Sequence, residues 1–268
     1  MSWLDHWNLA TDPFAADQAV YVATASRVEA VARLVYAIES GARSATIEAP
    51  AGMGKSRVLT RALAEARGPS RRIARVDAPG SGVDLLGRLA EALGAPPSPV
   101  RDRDSARRAF RDALKVVAWQ GLHAVVVVDD CQDLDAPADR AELERLGHSA
   151  PGSRGRLTVI RSGRPVEDGD RFRGDGPGDR RWEVAIDLLP LDRDEAETYI
   201  ASKLARAGRP EPAFRRSALT TLHAITGGVP EGLDRLAGLA LMGAAWEGLD
   251  AVTPEVVEGV AAECPGLR

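Results

Sequence analysis

Apolar residues recur along this chain in two alternating patterns. Short runs rich in β-branched residues occupy 44–49 (SATIEA), 71–78 (RRIARVDA), 123–130 (HAVVVVDD), 156–162 (RLTVIRS) and 181–188 (RWEVAIDL), and each reads as a strand. The third is almost entirely valine until it ends in two acids, as expected of a parallel strand covered on both faces. Segments between them repeat at helical spacing: Val58, Leu59, Ala62, Leu63 and Ala66 share a face of 56–66, and Phe110, Leu114 and Val117 share one of 105–119. Such alternation predicts an α/β fold, a three-layer αβα sandwich around a parallel sheet. After Pro190 only helical periods remain, over 192–207 (opened by Asp192, closed by Gly208), 214–225, 231–246 and 254–264. The expected division is an αβα domain over 1–190, with a leader over 1–25, and a helical domain over 191–268. Gly/Pro-rich stretches at 94–104 and 166–181 read as loops, the second a mobile one.

With 268 residues, 44% of them hydrophobic, the chain can bury one large core and a smaller one. A net charge of -4 gives no global case for a polyanionic partner, although a local basic face remains open. There is no secretory signal and no run of about 18 apolar residues, so a cytoplasmic protein is expected. Cys131 and Cys264 form no disulfide framework, and His6, His123, His148 and His223 share no ligand spacing.

The segment 49–57, APAGMGKSR, carries the candidate chemistry. It differs by one residue from the phosphate loop G-x-x-x-x-G-K-[ST]: Gly54, Lys55 and Ser56 are in place, and Ala49 stands where the first glycine belongs. In such a loop, backbone N–H groups converge on phosphate oxygens, the lysine reaches the β and γ phosphates, and the hydroxyl ligates Mg²⁺. The segment leaves a predicted strand and enters a predicted helix, the context the motif requires. Ala49, Pro50, Ala51, Gly52, Met53, Gly54, Lys55, Ser56 and Arg57 are therefore the expected nucleotide-binding segment. At the end of the valine strand, Asp129 is placed to hold Mg²⁺ together with Ser56, and Asp130 follows where many ATPases carry a glutamate that polarises the attacking water. ATP and Mg²⁺ are the expected ligands.

Several further segments, in order, resemble the AAA+ ATPases of the ExeA/GspA type, which include relatives of the transposition ATPases TniB, TnsC and MuB. HWNLATDPF (6–14) is similar to that family's leader, and YVATASRVEAVARLVYAIE (21–39) to its helix before the first strand. DDCQDL (129–134) is similar to Asp-Glu-Ala-Gln-x-Leu, GRP (163–165) to Gly-Gln-Pro, PLDRDEAETYIASKLARAG (190–208) to the lid entrance, and TGGVPEGLDRLAGLAL (226–241) to a Gly-Gly-x-Pro-Arg segment. The resemblance implies a P-loop NTPase core with a helical lid, acting as an ATP-dependent homo-oligomer on a partner. It implies a polar sensor at Arg161 or Ser162, and a trans-acting arginine among Arg164, Arg180 and Arg181. Two departures concern hydrolysis: Asp130 replaces a glutamate, and Glu231 stands where the family has a lid arginine. Binding is thus expected to exceed hydrolysis. The paired acids, Arg161 and Gly228-x-Pro230 also resemble STAND-type nucleotide switches, the second-ranked ATPase type.

Arg107, Arg108, Arg111 and Lys115 form a basic stripe on 105–119, opposite its apolar face. This stripe makes duplex DNA a candidate partner, bound through its backbone. The same pattern fits a solvated face balanced by Asp102, Asp104 and Asp112. Three functions follow from these features: an oligomerising ATP-driven motor or switch, a DNA-binding adaptor controlled by ATP, and a nucleotide-holding scaffold with lost catalysis.

Overall fold

The computed structural model describes residues 2–15, 20–78, 82–97, 102–134, 146, 156–165 and 183–264. In chain order the elements are α1 (Trp3–His6), α2 (Ala25–Ser40), β1 (Ser44–Glu48), α3 (Lys55–Glu65), β2 (Arg71–Asp77), α4 (Gly82–Ala92), α5 (Arg103–Trp119), β3 (His123–Asp129) and a 3₁₀ turn (Cys131–Asp133). There follow β4 (Arg156–Gly163), β5 (Glu183–Asp187), α6 (Arg193–Arg206), α7 (Arg216–Thr226), α8 (Pro230–Trp246) and α9 (Pro254–Glu263). The expected strands all form; four are trimmed at their ends by one or two residues, and β4 runs one residue further, to Gly163. Helix α4 lies between a strand and a Gly/Pro-rich segment and has no counterpart in the expectations. Its apolar spacing is nonetheless helical, with Leu85, Leu86, Leu89 and Leu93 buried.

By its packing the chain divides into two units: Met1–Glu29 with Gly52–Arg57 and Leu189–Arg268, and Ala30–Ala51 with Val58–Leu188. The second contains the sheet, all parallel, in the order β2-β3-β4-β1-β5. Every residue of β3 is buried, which explains its unbroken valines. One face of the sheet presents Ala74, Ala124, Val126, Val128, Leu157 and Val159 to α4 and α5, whose Leu86, Leu89, Phe110 and Leu114 complete that core. Val125, Val127 and Ile160 are buried on the opposite face, and helices flank the sheet as an αβα sandwich requires.

The other unit is helical. Leu191, Tyr199, Ile200, Leu222, Leu233, Leu236, Leu241 and Val257 form its core, and Trp7 and Leu9 of the leader join them. Trp7 donates from Nε1 to Leu241 O at 2.8 Å, and Ala10 N donates to Ala207 O at 2.8 Å. The leader, assigned to the sheet domain by position in the chain, thus packs as part of the helical unit: an indole this large needs an apolar home with an acceptor for its N–H. Gly228 has φ +75°, and a side chain there would collide with the Leu191 carbonyl oxygen. The close approach lets Leu191 N donate to Gly228 O at 2.9 Å, tying the start of this region to the α7–α8 turn. Among the described residues no helix is long and apolar enough to cross a membrane.

A buried polar cluster joins α6, α8 and the first turn of α3. Lys203 Nζ lies 2.7 Å from Asp234 Oδ1, Tyr199 Oη donates to Asp234 Oδ2 at 3.0 Å, and Arg57 Nη1 donates to Tyr199 Oη at 3.3 Å. Burial pushes the Asp234 carboxyl up and the Lys203 ammonium down from their ordinary values, and their mutual hydrogen bond opposes both shifts. Removing one partner strands the other charge. Asp234→Ala is therefore expected to cost about 3–5 kcal/mol of stability near neutral pH. In that variant Lys203 has its folded pKa further depressed, so the deficit must shrink as pH rises toward about 10 and Lys203 deprotonates in both states. Urea unfolding of parent and variant at pH 7 and pH 9.5 measures both effects.

Candidate functional site

The loop after β1 begins as a continuation of the strand. Ala49 N donates to Gly163 O at 3.2 Å, extending the β1–β4 ladder, and Ala49 is buried. Among the described non-glycine residues only Asn8 and Asp130 have positive φ, so Ala49 occupies ordinary backbone space. A methyl group there is compatible with the loop, which accounts for the missing first glycine. The two retained glycines do what other residues cannot: Gly52 has φ +76° and Gly54 φ +84°.

Three successive carbonyls of the loop are held by protein donors. Gly52 O accepts from Glu231 N at 3.2 Å, Met53 O from Arg27 Nη2 at 3.3 Å, and Gly54 O from Arg57 N at 3.1 Å. In a trans peptide the N–H points opposite to the C=O. Fixing these carbonyls therefore aims the N–H groups of Met53, Gly54 and Lys55 away from those donors, the arrangement of an anion-binding nest. Lys55 opens α3 and is buried, so the positive end of a helix dipole adds to the nest. Arg27 also donates to Leu189 O at 2.8 Å, and its burial lowers its pKa from the ordinary arginine value. Arg57, placed in the binding segment by sequence, points instead into the Tyr199–Asp234 cluster. Glu231 contributes its carboxylate as well as its backbone N–H: Oε2 is the first atom that a side chain at Gly52 would meet. An anion thus stands beside a nest built for anions.

The sheet supplies the other groups. β1 and β3 are parallel and end on the same edge, so 49–51 leaves the edge that carries Asp129. Asp129 is 1% exposed. Its Oδ2 lies 2.7 Å from Arg75 Nη2, its Oδ1 accepts from Asp130 N at 3.2 Å, and Arg75 Nη1 donates to Thr60 Oγ1 at 2.6 Å. Asp130 is left-handed, φ 54° and ψ 45°. Its Oδ1 accepts from Gln132 Nε2 at 3.1 Å, and Gln132 Oε1 accepts from Arg164 N at 3.1 Å. Arg164 directly follows β4, so the Asp130 carboxylate is referenced to the neighbouring strand.

In β4 the register sets Arg161 beside Val128 and Thr46, and Ser162 beside Ile47. Strand alternation puts Ser162 on the face of Asp129 and Arg161 on the opposite face. There Arg161 lies near Cys131, whose thiol is pushed up to about 12 by burial while the guanidinium opposes that shift. Of the two sensor candidates, Ser162 therefore shares a face with Asp129. Its Oγ is buried and has no hydrogen-bond partner among the described residues. A buried orphan hydroxyl at a strand end is a polar group still open to a ligand. Arg180, Arg181 and 166–182 lie outside the described residues. Among the described residues no group of three His, Cys, Asp or Glu side chains forms a metal cluster.

Sequence patterns did not single out Arg27, Arg75, Gln132 or the Asp234 cluster. Arg75 leaves a faint signal, a basic residue in a strand two positions before Asp77, beside a strand that ends in acids. Arg27 leaves none, because a basic residue in an amphipathic helix reads as surface.

Comparison with known proteins places this geometry. Residues 38–169 match the family model described as an AAA domain. Over 246 residues, 90% of this chain, it is 27% identical to General secretion pathway protein A of Aeromonas hydrophila, in line with the resemblance to the ExeA/GspA type. The chain spans 44% of that relative's length. Among solved structures it is similar to Cdc6p from Pyrobaculum aerophilum (TM-score 0.70, 20% identity, 95% of this chain and 72% of the other). It is also similar to the Aeropyrum pernix ORC2 protein in its ADPNP-ADP complexes (TM-score 0.68, 16% identity, 94% and 71%). At these identities the structural likeness concerns the fold.

The left-handed Asp130 can be tested apart from any ligand. Glycine relieves its backbone and a β-branched residue worsens it, by about 1–2 kcal/mol. The expected order of urea midpoints is Asp130→Gly at or above the parent and Asp130→Val well below it.

Proposed function

Because residues 38–169 match the model of an AAA domain, we propose that the chain is an AAA-type nucleotide switch that binds ATP with Mg²⁺ and hydrolyses it slowly. The bound state favours assembly with further copies and engagement of a partner. The observation that carries this proposal is the phosphate loop: Gly52 and Gly54 left-handed, three carbonyls held outward, and Lys55 at the start of α3. The ADPNP-ADP complexes of the Aeropyrum pernix ORC2 protein support nucleotide as the ligand. Ser56 and Asp129 offer oxygen donors of the kind that suit a hard divalent cation, which when bound neutralises phosphate charge.

Slow hydrolysis follows from two groups of this chain. Asp130 is one methylene shorter than glutamate and is tied to Gln132, so it reaches less far toward an attacking water. The Glu231 carboxylate beside Gly52 repels the charge that builds on transferring phosphate.

A second role, as an ATP-controlled adaptor on duplex DNA, draws on the outer face of α5. Its inner residues Phe110, Leu114 and Val117 are buried, which leaves Arg107, Arg108, Arg111 and Lys115 outward. Two of these are already engaged on the helix itself, Arg107 with Asp104 at 3.4 Å and Lys115 with Asp112 at 2.8 Å. That partial neutralisation ranks the adaptor second. Binding to a short duplex that falls steeply with salt would promote it.

Thermal shift with ATP and Mg²⁺ tests the main proposal. The parent is expected to gain several degrees, whereas Lys55→Ala keeps its unliganded melting temperature and gains nothing. Equal stabilisation of both proteins would refute the nucleotide assignment. Glu231→Gln removes the anion beside the nest while keeping the backbone donor to Gly52. The Kd for ATP is then expected to fall about three- to tenfold, and that for ADP by less, since ADP carries less negative charge. Fluorescence competition titrations give both constants.

A further inference from the structure

We propose that Arg75 is a built-in counter-cation for Asp129, which a divalent metal must displace, so that metal–nucleotide binding and release of Arg75 are one event. The proposal rests on the assignment of Asp129 as a metal-holding carboxylate and adds a residue that controls access to it.

Three observations carry it. Asp129 has 1% of its surface exposed, and its Oδ2 is 2.7 Å from Arg75 Nη2. A carboxylate so buried is stable as an anion only beside a cation. Arg75 itself is only partly enclosed. It sits on β2, the edge strand of the sheet, its side chain is 29% exposed, and its second anchor is the hydroxyl of Thr60 at 2.6 Å. Finally, Arg75 lines an open cleft of about 500 Å³ with Asp77, Arg88 and Glu91, so a released guanidinium has room at the sheet edge, with Asp77 of its own strand as the acid on its side of the sheet. A buried acid held by a partly exposed cation at a sheet edge differs from a structural ion pair in which both partners are enclosed by packing.

Displacement has a thermodynamic signature. A metal that must compete with Arg75 for Asp129 yields less binding free energy than one that need not, so the parent gains less nucleotide affinity from Mg²⁺ than it would without Arg75. Weakening the Arg75 contact returns that affinity. The size follows from a charge-assisted hydrogen bond, whose loss corresponds to about tenfold or more in a binding constant.

The test measures the Kd of the fluorescent nucleotide mant-ADP with EDTA and with saturating Mg²⁺, and takes their ratio as the metal dependence. Thr60→Val frees one anchor of Arg75 without touching Asp129, and its metal dependence is expected to rise about threefold. Arg75→Met keeps the aliphatic stem and removes the cation, with an expected rise of about tenfold or more. Should that variant fail to fold because Asp129 loses this cation, Thr60→Val alone decides. An unchanged or reduced metal dependence in the folded variants overturns the proposal, since it would make Arg75 a support for the metal site or irrelevant to it. Asp129→Asn separates the two levels. If it retains the parent's metal dependence, the assignment of Asp129 is wrong; if it loses it while Thr60→Val and Arg75→Met show no rise, only the counter-cation role falls.

Discussion

A parallel sheet covered on both faces can offer polar groups to a ligand only where its strands end. In β3 this constraint is extreme: from His123 to Asp129 every residue is buried, and the valines give way to acid only at the last position. The first carboxylate of the edge therefore emerges from a nearly dry surrounding. It must be an anion to be useful and needs a cation to remain one. Arg75 supplies that cation from β2, the strand paired with β3, and the register of Arg75 with Val127 sets it within reach of the carboxylate. The ion pair is thus a consequence of burial, and its placement follows from strand order.

The phosphate loop solves a related problem with backbone. A loop that turns its N–H groups toward an anion must dispose of its carbonyls, and buried carbonyls need donors. Gly52, Met53 and Gly54 find theirs in Glu231 N, the Arg27 guanidinium and Arg57 N. Two of the three come from segments distant in sequence, which explains why 52–57 packs with the leader and the C-terminal helices rather than with the sheet. The same helices carry the Lys203–Asp234–Tyr199 cluster that receives Arg57. The first turn of α3 is consequently fixed by a polar lattice whose members are each satisfied by the others, an arrangement whose strength is collective.

Legibility from sequence followed the range of each interaction. Strands and most helices depend on local periodicity, and they were readable within a residue or two. Ala49 could be judged harmless because a strand end needs no positive φ, and the ladder bond to Gly163 O agrees with that. Arg27, Arg75, Gln132 and Asp234 were not readable, because each acts on a partner brought near only by folding. Arg161 and Ser162 fell between these cases: their strand was clear, but which of them shares a face with Asp129 depends on a register that no single strand encodes. The packing of the leader was unreadable for the same reason, since nothing near Trp7 in sequence announces that its acceptor is Leu241 O.

The departures from the ATPase pattern fall in one direction. At Ala49 the substitution is silent, because the backbone there is extended. At Asp130 the carboxylate charge is kept and only its reach is shortened, whereas at Glu231 the sign of the charge expected from the resemblance is reversed. Asp130 adopts a left-handed conformation that is unfavourable for any side chain yet held by Gln132, and Gln132 is itself bound to the residue after β4. Glu231 retains the one function that a backbone can perform, the bond to Gly52 O, and changes only the charge displayed beside it. A loop no longer held to a ligand would be free to lose its left-handed glycines and the Arg27 donor, whereas the bonds from Glu231 N and Arg57 N survive almost any substitution because they are backbone. The left-handed Gly52 and Gly54 together with the Arg27 bond are therefore the side-chain-dependent features that the proposed nucleotide-holding role relies on.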